Sequence, residues 1–328
     1  MESSCLKALL LHYLQQQPAL YVSGGRLSEV AGTSRTAVWK HIEELRQKGY
    51  QIEAIPKKGY ILSSSPDALF PEEILANLFT RFCGKNIQYF NSVSSTNQAA
   101  YELGLQEAPE GTLVLAEEQT SGKGRRGRIW HSSSGKGIWM SLLFYPRHLL
   151  PNQIASITAA AGVMTAESLE ESTGCKISLK WPNDLLVDGK KFGGILTEIK
   201  SNQEAIDFLV LGIGLNIHHQ PSDFPEDLRS RATSLAETAE KKLNRAAICR
   251  NLLHKIEEGY SQFLTERFEG FRERWKDLSD TLGKRVTVDI GNQRMSGWAK
   301  DLDLEGSLVL EDEKGKITRL SYGEILEQ

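Results

Sequence analysis

Along the first 62 residues the apolar positions change from a helical to an alternating spacing. Leu6, Leu9, Leu10, Tyr13 and Leu14 recur at the period of an amphipathic helix. Gly24-Gly25 breaks the chain, a short helix follows over Leu27 to Ala31, and Gly32-Thr33-Ser34 makes a tight turn. The next helix spans Arg35 to Lys48. Val38, Ile42 and Leu45 fall at i, i+4 and i+7 on its inner face, and Arg35, Thr36 and Lys40 lie away from it. Gly49 stands where a left-handed cap ends a helix. Tyr50 to Ile55 alternates as a strand does, Lys57-Lys58-Gly59 is a basic turn, and Tyr60-Ile61-Leu62 returns. Helix, glycine turn, helix and basic-tipped hairpin is the order of a winged helix-turn-helix. There the second helix presents its N-terminal side chains to base edges in the major groove, and the wing touches phosphate. Ser34, Arg35, Thr36, Lys40, Lys57 and Lys58 are the candidate DNA contacts. A three-helix protein-binding module fits the same pattern.

Ser63-Ser64-Ser65-Pro66 reads as a linker. Beyond it the pattern is mixed. Strands are expected over Thr112 to Glu118, Ile138 to Tyr145, Ile177 to Trp181, Leu185 to Val187, Ile195 to Ile199 and Phe208 to Ile217. A small-residue helix spans Gln153 to Glu171, a long one Arg245 to Leu264, and a second helical stretch reaches Leu278. The last stretch holds four short strands at regular spacing, Arg285 to Ile290, Met295 to Asp301, Ser307 to Glu311 and Ile317 to Ser321, which suggests a small barrel. These elements make an α+β multidomain chain with expected domains at 1–64, 65–278 and 279–328.

Composition narrows the class. Of 328 residues, 40% are hydrophobic and 25% charged, as in ordinary globular proteins. No apolar run approaches the roughly 18 residues of a membrane span. Met1 to Ser4 lacks the basic start of a secretion signal. The four cysteines are scattered without a CxxC pair, which argues against a metal cluster or disulfide framework and fits a reducing cytoplasm. The net charge of −3 divides into +3 over residues 1–62 and −6 over the rest, so a polyanionic partner is expected for the head alone.

Three patches carry candidate chemistry. Ser121-Gly122-Lys123-Gly124-Arg125-Arg126-Gly127-Arg128 sets four cations among three glycines. Glycine admits backbone N–H groups close to an anion, and arginine forks match carboxylate or phosphate oxygens. The like charges repel, so this loop is expected to be mobile until an anion orders it. It is neither a Walker loop nor a dinucleotide fingerprint, because the spacing is wrong and a strand, not a helix, follows. A solvated loop or a nucleic-acid contact has the same composition. Trp130 suits base stacking, or a place in the core. In the second patch, Lys180-Trp181-Pro182-Asn183-Asp184 leads to Asp188-Gly189, a type I′ hairpin turn, then Lys190, Lys191 and Gly193-Gly194. Lys191 is the candidate for neutralising a carboxylate and a phosphate together, with Lys190 solvated. In the third, Asn216 ends the apolar run Gly212-Ile213-Gly214-Leu215, where its amide needs a partner. His218 and His219 point to opposite faces, which argues against a metal site.

With Ser95-Thr96-Asn97, Gln119 through Trp130, Lys180 through Glu198 and Gly212 through Asn216 in this order behind a winged helix, the chain closely resembles the bacterial bifunctional biotin–protein ligase and biotin-operon repressor family over essentially its whole length. The resemblance implies a class II synthetase-like central domain and a C-terminal SH3-like barrel. It implies a two-step reaction in which biotin and ATP, with Mg²⁺, give biotinyl-5′-adenylate, and a lysine of the biotin carboxyl carrier protein then takes the biotin. Ser95, Thr96, Asn97, Gln119, the Lys123 backbone, Arg125, Lys191 and Gly194 correspond to the biotin site. Arg126, Arg128, Trp130, Asn183, Asp184 and Asn216 correspond to the ATP and adenylate site, and Arg125 and Lys191 to the catalytic pair. It further implies that the adenylate favours a homodimer whose two heads span a palindromic operator, in the cytoplasm and away from membranes.

Two departures stand out. Lys123 replaces an arginine of the best-known members. The end, Ile325-Leu326-Glu327-Gln328, has no counterpart of an arginine linked to ATP in some of them. A pure sensor-regulator, a lipoate ligase, and a ligase whose head no longer binds DNA are the competing readings.

Overall fold

The computed structural model describes residues 2–202, 205–291 and 293–326. Met1, in the N-terminal reading, and Glu327-Gln328, in the C-terminal one, lie outside them. Internal packing divides the chain into two units, Met1–Phe79 with Asn244–Arg250, and Thr80–Leu243 with Asn251–Gln328.

The first unit comprises α1 (Glu2–Gln15), α2 (Gly24–Val30), α3 (Arg35–Gln47), β1 (Gln51–Ile55), β2 (Gly59–Ser64) and α4 (Pro71–Ala76). Leu10, Leu11, Leu14, Leu27, Val38, Ile42 and Leu45 are fully or almost fully buried in its core. The α3 face is as expected, and Gly49 is left-handed at φ 94°. The face of α1 is rotated from its expected position: Ala8 and Leu11 are buried, whereas Leu9 is 39% exposed. The cause is α4, a helix that the sequence reading left unassigned. It belongs to the core of α1 through Ala76 and Leu75, and Gln15 donates to Glu73 at 3.2 Å. Gly24-Gly25 does not break the chain either. It opens α2, capped by Ser23, whose side chain accepts from the Arg26 N–H. The expected linker is half strand, since β2 runs to Ser64. Just beyond it, Asp67 accepts from the backbone N–H of the buried Arg245 at 2.8 Å.

The second unit carries β3 (Ile87–Val93), α5 (Thr96–Leu105), β4 (Leu113–Gln119), β5 (Gly137–Phe144), α6 (Ile154–Thr173), β6 (Ile177–Lys180), β7 (Asp184–Val187), β8 (Lys190–Ser201), β9 (Ile206–Asn216), and α8 (Glu269–Asp277). The helix α7 (Arg245–Glu266) begins in the first unit and continues into the second. One seven-stranded sheet has the order β3-β4-β5-β9-β8-β7-β6. Its β3–β4 pair is parallel and every other pair antiparallel. All eight residues of the central β5 are buried, which explains a strand that is apolar on both faces except at Ser141. The turn between β7 and β8 has φ 49° at Asp188 and 72° at Gly189, the two positive values a type I′ turn requires. Strand β3, helix α5 and most of β8 were not anticipated from the sequence.

The C-terminal strands are β10 (Arg285–Asp289), β11 (Arg294–Leu302), β12 (Leu308–Glu311), β13 (Ile317–Leu320) and β14 (Glu324–Leu326). They form an antiparallel sheet of order β13-β12-β11-β10-β14. Its outer strands are not paired with each other, so the expected closure into a barrel is not present among the described residues.

Candidate functional site

The polar end of the site is built where β3 and β4 run side by side. Ser95 caps α5, and its side chain accepts from the Gln98 N–H. This fixes Thr96 and Asn97 in the first turn, over the ends of the strands. Both the backbone N–H and the hydroxyl of Thr96 donate to Gln119 Oε1, at 2.8 and 3.1 Å. Gln119 Nε2 donates to Ser132 Oγ at 2.8 Å, and Ser132 Oγ donates to the Trp130 carbonyl at 3.1 Å. Ser95, Thr96 and Gln119 are thus brought together, and Ser132 joins them although nothing in its sequence context marked it. Asn97 serves differently. Its amide donates to Leu196 O at 3.2 Å and Glu198 Oε2 at 2.7 Å, and its oxygen lies 2.7 Å from Ser141 Oγ. With both ends engaged, Asn97 ties α5 to the sheet and does not offer its amide to a ligand.

Trp130 joins this cluster to the lysine. Its indole lies over two strand glycines: a Cβ on Gly214 would fall 2.7 Å from Trp130 Nε1, and one on Gly194 would fall 3.5 Å from Cζ3. The glycines therefore admit the indole. Lys191 Nζ sits 5.4 Å from the centre of the Trp130 ring and 2.6 Å from Asp184 Oδ1. The backbone of Lys191 is held on both sides: its N–H donates to Arg231 O and its C=O accepts from the Thr233 N–H, each at 2.9 Å. Asn216 Nδ2 donates to Thr233 O at 3.2 Å. Asn216 Oδ1 and Trp130 Nε1 are buried polar atoms without a hydrogen-bond partner, one an acceptor and the other a donor. Asn183 does not face this space with its amide, which donates to Ile195 O at 2.7 Å.

The cationic loop is folded here, not splayed. Gly124 N–H donates to Arg128 O at 2.7 Å and Trp130 N–H to Gly122 O at 2.8 Å, around a short 3₁₀ turn at Arg125–Gly127. Lys123 Nζ points outward and donates to Gln98 Oε1 at 2.8 Å. Arg125 Nη1 donates to Gly323 O at 3.1 Å. Arg126 pairs with Asp289 at 3.6 Å, and Arg128 pairs with Glu324. Burial lowers the Arg125 guanidinium's affinity for its proton, against the opposing pull of Asp184 and Glu324.

His219 is buried, stacked on Phe224 at 5.0 Å and edge-on to Trp139 at 5.9 Å, with both ring nitrogens unpartnered. Burial pushes its pKa down to about 4. Among the described residues no three His, Cys, Asp or Glu side chains converge on a metal position, and no helix is long and apolar enough to cross a membrane.

In the first unit Ser34 caps α3, and its side chain accepts from the Ala37 N–H. Its hydroxyl therefore serves the helix. Arg35, Thr36 and Lys40 are exposed, as are Lys57 and Lys58 at the hairpin tip. Trp39, which the sequence reading passed over, is 55% exposed between Val38 and Lys40. A large apolar side chain left outside on that helix is the signal that could have found it.

Three family models match the chain: an HTH domain over residues 7–61, the biotin/lipoate A/B protein ligase family over 89–216, and a biotin protein ligase C terminal domain over 281–326. The bifunctional ligase/repressor BirA of Bacillus subtilis is 39% identical over 95% of this chain and 96% of its own length. Its counterpart from Escherichia coli K12 is 29% identical over 92% of each. Among solved structures, the biotin protein ligase from Aquifex aeolicus in complex with biotin and ATP superposes with a TM-score of 0.64 at 30% identity, covering 74% of this chain and 98% of that one.

Proposed function

This chain belongs to the bifunctional biotin ligase/repressor family, and from that premise we propose that it joins biotin to ATP as biotinyl-5′-adenylate, passes the biotin to a lysine of the biotin carboxyl carrier protein, and represses transcription in response to biotin. One observation carries the ligase reading. Thr96, Gln119, Ser132, Trp130, Lys191 and Asp184 form an unbroken run of contacts from a polar cluster to an ammonium.

The chemistry of each part fits. A ureido ring needs donors and an acceptor side by side. The Ser95 and Thr96 hydroxyls and the Gln119 amide supply them, by exchanging their present bonds for bonds to the ring. A dithiolane would leave those groups unpaired, which disfavours lipoate. At the other end a carboxylate oxygen attacks the α-phosphorus and pyrophosphate leaves. The two anions repel, and Lys191 and Arg125 offset that repulsion and stabilise the charge that develops. Trp130 offers a stacking face, and the free amide oxygen of Asn216 offers an acceptor for an exocyclic amine, as adenine presents. Arg126 and Arg128 flank the triphosphate side. In the second step an acceptor amine attacks the acyl carbon and AMP leaves, so no side chain of this protein becomes covalently bound.

Asp184 is engaged by Lys191; magnesium would enter as part of the nucleotide substrate and would offset the charge of the triphosphate. The sheet architecture is read as class II synthetase-like and the C-terminal strands as an open, SH3-like arrangement. A homodimer of the adenylate-bound form places two heads on a palindromic operator, and the protein acts in the cytoplasm. Domain limits at 1–64, 65–278 and 279–328 go with this reading.

Biotin-dependent exchange of labelled pyrophosphate into ATP tests it. The wild-type protein should catalyse the exchange, and Lys191→Ala should lose it by a factor of a hundred or more on the order of one lost charge contact, with an unchanged melting transition. A wild-type protein inert in this assay would end the ligase reading.

A further inference from the structure

Asp289 and Glu324 stand directly opposite each other across the β10–β14 pair. Two carboxylates in that register repel, and a sheet end so placed is destabilised unless cations neutralise it. The cations come from the loop at 123–128. Arg126 reaches Asp289 and Arg128 reaches Glu324, while Arg125 donates to the neighbouring Gly323 carbonyl. Two sets of like charges, each unfavourable alone, thus neutralise each other pairwise.

The pairing also sorts the three arginines. Arg126 and Arg128 have ionic partners. Arg125 has only an uncharged carbonyl among the described residues, and it is the most buried of the three. It makes no ion pair among the described residues and feels Asp184 and Glu324 only as longer-range charges, so its guanidinium is the least committed of the three to a carboxylate.

We propose that Asp289 and Glu324 are positioning residues for the ligase reaction: as a paired-carboxylate dock on the C-terminal sheet they hold the arginine loop folded and direct Arg125 to the anionic substrate. This rests on the ligase reading for its substrate, but the docking itself does not. The carboxylates do not touch the reacting atoms and act through Arg126, Arg128 and the Gly323 carbonyl.

Two readouts test it in the full chain. Limited trypsin digestion, with cleavage after Lys123, Arg125, Arg126 and Arg128 followed by mass spectrometry, reports the fold of the loop without any substrate. The double variant Asp289→Asn, Glu324→Gln should be cut in this loop about five-fold faster, the scale expected for losing two partly exposed ion pairs. Its KM for biotin in pyrophosphate exchange should rise by a similar factor, with kcat changed less than two-fold. The charge swap Arg128→Glu, Glu324→Arg should be cut no faster than wild type, whereas Arg128→Glu alone is cut faster; this comparison holds even if the first variant folds poorly. Cleavage rates unaltered in the double variant, or a swap cut as fast as Arg128→Glu, would overturn the docking. A wild-type protein without exchange activity would remove the ligase reading and leave the cleavage result standing.

Discussion

His219 is a residue whose environment departs from its sequence context. The sequence places it beside His218 on a polar stretch; the fold buries it between Phe224 and Trp139. Its neutral form alone is compatible with that site, and its pKa falls from 6.5 to about 4. The unfolded chain therefore takes up a proton here at a higher pH than the folded one. Stability from this residue is fully present above about pH 6.5 and is lost as pH falls towards 4, by about 3 kcal/mol in total. Thermal melts between pH 7 and 4 should show this loss, and His219→Phe should flatten that part of the curve. An identical pH profile in the variant would place the titration elsewhere. Gly214 shows the opposite case. Its type is visible in the sequence, but its role as the floor under Trp130 depends on a residue 84 positions away.

At the level of elements, the turn that joins β7 and β8 was legible in the sequence, although most of β8 was not. Asp188-Gly189 specifies the turn, and the turn sets Val187 opposite Lys190 and Leu186 opposite Lys191; a one-residue shift between Leu185 and Leu186, which the turn does not encode, then puts Asp184 opposite Gly194. The strap that holds Lys191 was not legible. Residues 231–233 lie in irregular backbone between 3₁₀ turns, without periodicity, and meet Lys191 only through backbone hydrogen bonds. The Thr233 N–H is one of two groups that fix the Lys191 main chain. Thr233→Pro removes that donor, and it should reduce the kcat of pyrophosphate exchange about ten-fold, the scale of losing one hydrogen bond at a positioned catalytic group. Circular dichroism and DNA affinity should not change. Full exchange activity in a folded Thr233→Pro protein would show that this strap does not hold the lysine. Helix α5 was missed for a related reason. Its mean sequence is bland, and Ser95 reads as a cap only once β3 is known to precede it.

For the molecule as a whole, a basic head on an acidic body remains the simplest statement of its two activities. The head carries a net +3 over residues 1–62, against −6 over the rest. Lys57 and Lys58 at the exposed tip are phosphate contacts in the repressor reading, so they contribute to affinity and not to sequence choice. Replacing both by alanine should weaken specific and non-specific DNA binding alike, and should lower the salt slope of binding by about one per lysine. Gel-shift titrations at several salt concentrations measure this; a loss confined to the specific operator would reassign the wing to base reading. Ligation should be unaltered, since the same lysines lie outside the unit that carries Lys191.

The sequence by itself determined the periodic elements, the type I′ hairpin, the cationic loop and the family, because each is written in adjacent residues or in a fixed spacing. Only the tertiary structure decided that Asn97 braces the sheet, that Trp130 lies on Gly194 and Gly214, that α4 turns the face of α1, and that Asp289 and Glu324 meet the loop arginines. Each of these joins residues far apart in the chain. Local propensity carries no record of such pairings, which exist only once burial has chosen which surfaces come together.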